Sequence, residues 1–519
     1  MKRAPILFLV TLAAYTLTAG GHLYSPDEEI DFRTTRALAT GHGLAIEPMA
    51  SGEFTRAPRP PRSDGRVYAQ YGIGQPILAV PFYRAGAALG RLGTDAFWQR
   101  LYGTPAINGK LVGYAPSAAE LAPRWACSWF NILLGSLMAA LLYLVCFELT
   151  RHATASTFAA LLYALGSMAW PHSRPFFTES CATFFILLAW YGVLRALRGR
   201  MVPWCLLAGA AAGYGALVRM DSVLAYPGLG LLLAVTLVAR ARRRGAAFWP
   251  AWVAFCLPAS LAGAVLLGLN YFHFGGMFQT GYAAQPEGVK FSTPLLAGLY
   301  GFLFGIGKGL FFFSPALVLG FWGWRPLAEL TRRRQPWLVA ALAAAILVPF
   351  LIQAKWQNWP GGWCWGPRHI FIIHVFLAIP IAALLARAWS APVRIAALVA
   401  LIVGIGVQLL ACSQDFIYFY QRFFRSPGDR NAFFVTYDPA DMVFWDNFYH
   451  LSFRSSPKEE PYHVPLFPPR PIQDSLYLPQ WSVWTGYPQM LREGTFDNFW
   501  TRAWGLSGPI ARPPRLPDS

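Results

Sequence analysis

Three consecutive acids, Asp27, Glu28 and Glu29, follow the first apolar run of the chain in the stretch "SPDEEIDF". A carboxylate close to hydrocarbon is costly, so a cluster at this place is either a solvated turn or a functional site. A carboxylate there can act as a general base toward an alcohol when its geometry and its pKa allow it. The alternative is the first turn of a helix, where acidic residues stabilise the N-terminus. Asp27 and Glu28 are therefore the candidate catalytic residues, and composition leaves the structural alternative open.

Basic residues beside later apolar runs form a second candidate group. A phosphate on a lipid needs cations at headgroup depth, and an arginine can hold it through two hydrogen bonds. The usual alternative is a side chain that only anchors a helix end at the headgroups, and Arg219 can also simply pair with Asp221. The candidates are Lys308 in "GIGKGLFFFSP", Arg368 in "WGPRH", Arg219 in "VRMDS" and Arg174 in "PHSRP".

The loop "KWQNWPGGWCWGPRH" concentrates tryptophans, including Trp363, next to Arg368 and His369. Tryptophan is favoured at membrane interfaces, so an aromatic belt explains the loop without any function. Aromatic faces also stack on sugar rings or line a lipid groove, and residue spacing does not separate these alternatives.

No metal or nucleotide motif stands out. The histidines are scattered, and neither HExxH nor a phosphate-binding glycine loop occurs. No cofactor is required by the residues found, although a divalent cation shared by Asp27, Glu28 and a loop histidine stays open as an alternative.

The composition indicates a polytopic membrane protein rather than a soluble one. Of the 519 residues, 55% are hydrophobic and only 13% are charged, against about 25% charged residues in soluble domains. The net charge of +18 lies largely in short arginine clusters beside apolar runs. That pattern indicates membrane topology, and we expect no nucleic-acid partner.

Apolar runs long enough to cross a bilayer predict an all-α bundle of about eleven spans. With Lys2 and Arg3 inside, every short inner connection is basic, as the positive-inside rule requires, and the C-terminus falls outside. The predicted spans are 4–20, 125–147, 154–170, 180–197, 202–218, 222–239, 248–270, 296–323, 336–354, 370–387 and 394–411.

Two parts of the chain are then assigned to the outer side. Residues 1–411 form the membrane module, and its first outer loop, 21–124, contains the segment "YAQYGIGQPILAVPFYRAGAALGRLG", which predicts a helix lying in the interface. The tail 412–519 predicts a small, loop-rich outer region. Within 296–323 the break "GIGKG" predicts a short interfacial helix first and a span after Gly309.

Together these stretches resemble the GT-C superfamily of membrane glycosyltransferases, in the branch that uses polyprenyl-phosphate sugars and is related to protein O-mannosyltransferases and the lipid A aminoarabinose transferase. "SPDEEIDF" is similar to their acidic motif after the first span, and "YAQYGIGQPILAVPFY" to a stretch of bacterial members. "NYFHFGGMFQTGYAAQPEGVK" with "GIGKGLFFFSP" and "GGWCWGPRHIF" resemble two further runs. The resemblance covers most of 1–411 and none of the tail.

The resemblance implies roles for individual residues. Asp27 would be the catalytic base and Glu28 its partner, although the third acid here leaves the identity of the base open. Lys308 and Arg368 would lie near the lipid phosphate, with Arg219 and Arg174 as further candidates. His369 stands where the family usually has tyrosine. The candidates that would line the substrate are Tyr71, Tyr282, Trp363 and His369.

The expected activity is an inverting transfer of a hexosyl or pentosyl unit from a polyprenyl-phosphate-linked sugar to an acceptor hydroxyl. The acceptor is a glycan, a lipid or a protein, and membrane lipids surround the enzyme in a bacterial inner membrane. The alternative is a transporter or flippase for lipid-linked glycan, which should place polar groups at the midplane of several spans. A non-catalytic assembly partner is a third interpretation.

Overall fold

The computed structural model describes residues 3–47, 55–56, 66–103, 115–198, 200–244, 248–284, 290–332, 337–387, 390–423 and 482–506. Helices dominate these residues. The α-helices are Arg3–Leu17, Pro26–Ala39, Gly74–Leu89, Asp95–Tyr102, Ala118–Ser128, Phe130–Thr150, Ala153–Gly166, Thr178–Ala196, Met201–Val218, Tyr226–Arg244, Trp249–Phe274, Leu295–Phe304, Leu310–Phe313, Trp324–Thr331, Leu338–Lys355, Phe371–Arg387, Ala391–Cys412, Phe416–Phe423, Val483–Arg492 and Phe499–Ala503. Short 3₁₀-helices are Gly90–Leu92, Pro171–Ser173, Met220–Ala225, Gly281–Ala284, Pro315–Gly323 and Arg368–Ile370.

Within the described residues, seven helical segments are long and apolar enough to cross a membrane. Three more predicted spans form the helices Arg3–Leu17, Ala153–Gly166 and Thr178–Ala196. The chain is therefore a helical, multi-pass membrane protein, and the total of eleven spans stays a prediction. The seven segments are Ala118–Thr150, Met201–Val218, Met220–Ala239, Trp249–Phe274, Leu338–Lys355, Arg368–Arg387 and Ala391–Cys412.

The segment 296–323 differs from the single span predicted after Gly309. The helix that begins there ends at Phe313, and a 3₁₀-helix begins at Pro315. Ser314 leaves the helical region with φ −143°, and Pro315 has no N–H with which to continue the helical hydrogen bonds. The break at Gly305–Gly309, which the sequence predicts, does occur and places Lys308 in a turn between two short helices.

Two spans show where the bundle is buried and where it faces lipid. The segment Arg368–Arg387 lies at the centre, with 83% of its apolar window buried by other parts of the chain, whereas Trp249–Phe274 has none of its window buried. On the latter, Leu257 is 66% and Leu261 is 65% exposed, as expected of side chains that face hydrocarbon. Arg368 is the first residue of this buried segment.

A small sheet and a helix lie between the first two membrane-spanning segments of the structure, and the sheet positions Tyr71. Three short strands, Ala45–Ile46, Thr55–Arg56 and Val67–Ala69, form an antiparallel sheet with Val67–Ala69 in the middle. Tyr71 follows the middle strand. The helix Gly74–Leu89 occupies the segment predicted to lie in the interface, and it packs between Pro26–Ala39 and Ala118–Ser128.

The described part of the tail packs directly on the membrane module. The backbone N–H of Phe499 donates to the carbonyl of Ala19 at 2.8 Å, and Trp484 Nε1 donates to the carbonyl of Ile306 at 2.8 Å. These contacts tie the tail to the residues that follow the first helix and to the turn that carries Lys308. The other tail residues, 424–481 and 507–519, lie outside the described residues.

Candidate active site

Asp27 lies in the first turn of the helix Pro26–Ala39, whose sequence starts a helix strongly. Ser25 is the N-cap in extended conformation, Pro26 occupies the first helical position, and Ser25 and Glu28 form a capping box. Such a box satisfies backbone N–H groups that a helix terminus otherwise leaves without partners. The cap fixes the first turn of the helix and so the direction in which the Asp27 side chain points.

Glu28 is fully buried and anchors this helix to a neighbouring segment. Its carboxylate accepts hydrogen bonds from the N–H of Tyr24 (3.2 Å), the N–H and hydroxyl of Ser25 (3.1 and 3.0 Å) and the N–H of Phe176 (2.7 Å). Burial raises the pKa of Glu28 to about 8, although the N–H groups of Phe176 and Tyr24 oppose this shift. These bonds position the first turn of the helix, and a catalytic role of Glu28 stays a prediction.

The third acid of the cluster, Glu29, is also paired with other side chains. Glu29 is buried and forms ion pairs with Arg33 at 3.0 Å and with Arg124 at 2.6 Å. Of the three acids that the sequence offers, Asp27 is the one whose carboxylate stays partly accessible.

Asp27 keeps 19% of its side chain exposed and has two partners. The Tyr71 hydroxyl donates to Oδ1 at 2.8 Å, and Arg368 Nη1 donates to Oδ2 at 2.9 Å. The predicted acid and one predicted cation therefore meet, although 341 residues separate them in the sequence. The carboxylate is held from two sides by hydrogen bonds that define its orientation.

Arg368 is held at the first turn of the central segment. Its guanidinium lies 5.0 Å above the ring of Phe177, and its Nε is 4.0 Å from Glu179 Oε1. The aromatic face and the two carboxylates stabilise the positive charge. Arg368 thus bridges Asp27 on one side and Glu179 on the other.

Arg219 lies close by and is paired more completely. Its guanidinium donates two bonds to Asp221, at 2.9 and 2.8 Å, and Nη1 donates to Glu179 Oε1 at 2.8 Å. Glu179 therefore lies between Arg219 and Arg368. The pairing with Asp221 is the structural alternative that the sequence left open for Arg219.

A small cleft with a cavity volume of about 20 Å³, lined mostly by polar side chains, opens beside these arginines. Tyr282 packs edge-to-face on Tyr71 with ring centroids 5.9 Å apart, while Trp363 packs with apolar clusters that include Phe177. Of the predicted substrate-lining residues, His369 lines the cleft directly. The cleft is lined by Glu179, Ala182, Thr183, Arg219, Asp221, Ser222, Pro349, Gln353, Arg368, His369 and Ile372.

Lys308, a predicted phosphate ligand, binds the loop before Arg368 instead. Its buried Nζ donates to the carbonyls of Gly362 at 3.0 Å and Cys364 at 2.8 Å, and it contacts Cys364 Sγ at 3.2 Å. Burial lowers the pKa of Lys308, while Cys364 opposes this shift. These contacts tie the ammonium group to the loop before Arg368, and a role of Lys308 toward a phosphate stays a prediction.

Replacing Lys308 by Met is therefore expected to lower the free energy of unfolding. The carbonyls of Gly362 and Cys364 would lose this buried donor, at a cost of about 1–3 kcal/mol. Thermal unfolding in detergent measures the change against Lys355→Met, which alters a half-buried lysine at a helix end. An unchanged unfolding midpoint together with weaker donor binding would instead support a direct contact between Lys308 and phosphate.

Arg174, the fourth predicted cation, belongs to a buried cluster around Asp497 in the tail. Asp497 accepts hydrogen bonds from Tyr24 at 2.9 Å, Arg174 at 2.5 Å and Arg502 at 2.8 Å, and it contacts His22 Nε2 at 3.0 Å. Burial alone would raise the pKa of Asp497, but His22 and the two arginines lower it. This cluster occupies Arg174, so the structure gives it a different partner from the predicted phosphate.

Replacing Asp497 by Ala is expected to destabilise the protein by about 3–5 kcal/mol, because buried cations would lose their carboxylate. The thermal midpoint of the purified protein measures this loss. The control is Glu493→Ala, which removes an exposed acid four residues earlier. Equal midpoints for both variants would show that the cluster contributes nothing to stability.

Two acids near the site were not selected from the sequence. Asp31 lies one helical turn after Asp27 and is buried, and burial together with the charges of Asp27 and Glu179 raises its pKa well above the usual value. The spacing of four residues on one helix could have indicated Asp31. Glu179 lies in the first turn of the helix Thr178–Ala196, and no sequence motif marks it.

A divalent cation shared by Asp27, Glu28 and a histidine stays an open alternative. Both oxygens of Asp27 face donors, and Glu28 accepts four hydrogen bonds. In the described part of the chain, no three His, Cys, Asp or Glu side chains are grouped so that they could hold a metal ion.

Comparison with known families supports the resemblance found in the sequence. A family model described as dolichyl-phosphate-mannose-protein mannosyltransferase matches residues 107–275, about a third of the chain. The matched region contains Glu179, Thr183, Arg219 and Asp221. No curated protein matches the chain significantly.

Several solved structures of membrane glycosyltransferases are similar to this chain. ArnT from Cupriavidus metallidurans bound to undecaprenyl phosphate is 15% identical over 82% of this chain and 66% of that one, with a TM-score of 0.46. The oligosaccharyltransferase AglB from Archaeoglobus fulgidus, with an inhibitory peptide and dolichol phosphate, is 13% identical over 88% and 62%, with a TM-score of 0.46. The protein O-mannosyltransferase Pmt1–Pmt2 complex of S. cerevisiae, bound to the sugar donor, is 16% identical over 54% and 35%, with a TM-score of 0.35. The chain thus spans less than two thirds of their lengths.

Proposed function

We propose that this chain is an inverting glycosyltransferase, which moves a sugar from a polyprenyl-phosphate-linked donor to an acceptor hydroxyl on the extracytoplasmic face of the membrane. The contact between Asp27 Oδ2 and Arg368 Nη1 at 2.9 Å, beside a polar cleft, carries the proposal. It joins a partly accessible base to a cation suited to a lipid phosphate. The family model that matches residues 107–275 supports the same reaction class.

Asp27 is the catalytic base in this mechanism. It takes the proton of the acceptor hydroxyl as the oxygen attacks the anomeric carbon, and the bond from that carbon to the phosphate oxygen breaks. The leaving group is a polyprenyl phosphate, which departs as an anion and needs no protonation. Tyr71 orients the carboxylate through Oδ1 and leaves Oδ2 for Arg368 or for the acceptor.

Arg368 serves the leaving group. An arginine binds a phosphate through two parallel charge-assisted hydrogen bonds, so the entering donor competes with Asp27 for the guanidinium. When the phosphate takes Arg368, Asp27 loses its ion pair and its Oδ2 becomes available to the acceptor. Donor binding thereby prepares the base, and the same cation stabilises the charge that develops on the phosphate.

The remaining candidates support these two residues. Glu28 fixes the first turn of the helix that carries Asp27, Lys308 fixes the loop before Arg368, and Arg219 keeps Glu179 in place. We place the site at the outer face of a bacterial inner membrane, with the N-terminus in the cytoplasm and residues 412–519 outside. The acceptor is a glycan, a lipid or a protein.

Mass spectrometry of lipid extracted from the purified protein tests the donor class. The expected finding is a polyprenyl phosphate or its glycosylated form. This lipid should be absent from extracts of Arg368→Ala, because the variant lacks the cation that binds the phosphate. Recovery of ordinary phospholipids alone, in equal amounts from both proteins, would contradict the proposal. Transport of a glycosylated polyprenyl phosphate across vesicles without any sugar transfer would favour the transporter alternative.

A further inference from the structure

We infer that Trp484, in the tail, is a positioning residue that holds Arg368 in place through the ring of Trp365. This inference rests on the proposed function, in which Arg368 binds the phosphate of the donor lipid. It gives a role to the tail helix Val483–Arg492, to which the family resemblance in the sequence does not extend.

The helix Val483–Arg492 packs one face against the apolar core of the membrane module. Val483, Tyr487 and Met490 lie on this face, because steps of four and three residues return to the same side of a helix. Each of them is at most 3% exposed. This packing fixes the first turn of the helix, which carries the partly buried Trp484.

Trp484 joins two segments that converge beside Arg368. Its Nε1 donates a hydrogen bond to the carbonyl of Ile306 at 2.8 Å, in the turn that carries Lys308. Its ring packs edge-to-face with Trp365, with the ring centroids 5.6 Å apart, which is a favourable arrangement for aromatic side chains. One side chain of the tail therefore contacts both the turn and the loop that precedes Arg368.

The ring of Trp365 is almost fully buried, and two further aromatic rings enclose it. The ring centroid of Phe313 lies 4.8 Å from that of Trp365, and the ring centroid of Tyr487 lies 5.3 Å from it. The carbonyl of Trp365 accepts a hydrogen bond from His172 Nε2 at 2.9 Å. Since the side chain and the carbonyl both have partners, the position of this residue is well defined.

A short and constrained backbone connects Trp365 to Arg368. Gly366 has φ +67°, a left-handed conformation that glycine adopts without steric cost, and the ring of Pro367 restricts its own φ angle. The N–H of Arg368 donates to the carbonyl of Gly366 at 3.1 Å. A displacement of the Trp365 ring therefore moves the backbone at Arg368 and with it the guanidinium.

The orientation of this guanidinium matters for a phosphate rather than for a lipid chain. In the proposed mechanism the donor displaces Asp27 from Arg368, so the support from the loop matters most when the phosphate is bound. Two parallel hydrogen bonds to a phosphate need the planar group at a defined angle, whereas the burial of an isoprenoid chain is non-directional. Loss of Trp484 should therefore weaken the binding of a phosphorylated lipid and not that of the corresponding alcohol.

Binding of polyprenyl phosphate and of polyprenol to the full-length protein in nanodiscs, measured by native mass spectrometry, tests the inference. Trp484→Ala removes both the ring and the hydrogen bond, and we expect it to raise the dissociation constant of polyprenyl phosphate about tenfold. Trp484→Phe keeps a ring against Trp365 and loses only the hydrogen bond to Ile306, so the increase should be about threefold. Polyprenol should bind to both variants as it binds to the parent.

A double variant shows whether Trp484 acts through Arg368. In Arg368→Lys the planar pair of donors is already lost, so adding Trp484→Ala should change the dissociation constant of polyprenyl phosphate little further. The control is Trp504→Ala, which alters a tryptophan of the same tail that is 66% exposed. It should bind both lipids as the parent does.

Three results would overturn the inference and leave the proposed function intact. They are an unchanged dissociation constant of polyprenyl phosphate in Trp484→Ala, equal losses for polyprenyl phosphate and polyprenol, and effects that add fully in the double variant. If Trp484→Ala does not fold, Trp484→Phe decides by the same comparison of the two lipids. A parent protein that binds polyprenyl phosphate no more tightly than polyprenol would instead contradict the proposed function, and the inference with it.

Discussion

Replacing Asp27 by Asn is expected to lower the rate of sugar transfer by about 10²- to 10⁴-fold, the usual contribution of a positioned general base. Asparagine is similar in size and can still accept the hydrogen bond from Tyr71, but it cannot take a proton from the acceptor. It also lacks the charge that holds Arg368, so donor phosphate no longer competes for the guanidinium. We therefore expect donor affinity to stay equal or to increase while turnover falls.

Turnover of a labelled donor under saturating conditions, together with the donor dissociation constant, measures both effects in one preparation. The control is Glu47→Gln, which alters a largely exposed acid that pairs with Arg36. A fall in donor affinity with the rate of bound enzyme unchanged would show that Asp27 binds the donor rather than acting as the base.

Replacing Arg368 by Lys is expected to weaken donor binding about tenfold or more. Hydrogen bonds to charged groups contribute about 1.5–3 kcal/mol, and lysine keeps the charge but not the planar pair of donors that fits a phosphate. The lysine side chain also gives up the contact of the guanidinium with the ring of Phe177. The effect should appear in the KM for the donor more than in the KM for the acceptor.

Arg387→Lys is the matched control, because Arg387 is the last residue of the segment that Arg368 begins and is half-exposed beside Glu329. Donor KM values measured for both variants and the parent separate the site from a general effect of the substitution. An unchanged donor KM in Arg368→Lys would mean that another cation binds the lipid phosphate.

The meeting of Asp27 with Arg368 was foreseeable because both residues interrupt stretches where charge is costly. An acid after the first apolar run and an arginine within a tryptophan-rich loop are expensive unless they have a partner or a function. Positive-inside topology then placed both on the same side of the membrane. The sequence could not show that Asp27 rather than Glu28 stays accessible, because this depends on the capping box and on the distant N–H of Phe176.

Lys308 and Arg174 show where local sequence is insufficient. A cation at the end of a span has the same sequence pattern whether it faces a phosphate, a set of carbonyls or a buried acid. Arg174 pairs with Asp497, 323 residues later in the chain, in a tail where no motif distinguishes that aspartate. Such pairs are set by tertiary packing, and only coordinates reveal them.

The fold was predictable to a similar extent. Long apolar runs predicted the positions of most helices. A segment that crosses a bilayer needs about 20 mostly apolar residues, and it must satisfy its own backbone hydrogen bonds as a helix does. The strands of two or three residues near Tyr71 are too short to carry an alternating pattern. The interruption at Ser314 and Pro315 depends on a backbone conformation that a hydropathy profile does not include.

A cryo-EM structure of the Asp27→Asn protein with a bound polyprenyl-phosphate sugar tests the central claim most directly. The account predicts phosphate oxygens about 2.7–2.9 Å from the guanidinium nitrogens of Arg368. It also predicts that the side chain at position 27 lies on the side from which an acceptor hydroxyl approaches. A phosphate bound at Lys308 or Arg174, with Arg368 still turned away from it, would contradict the account.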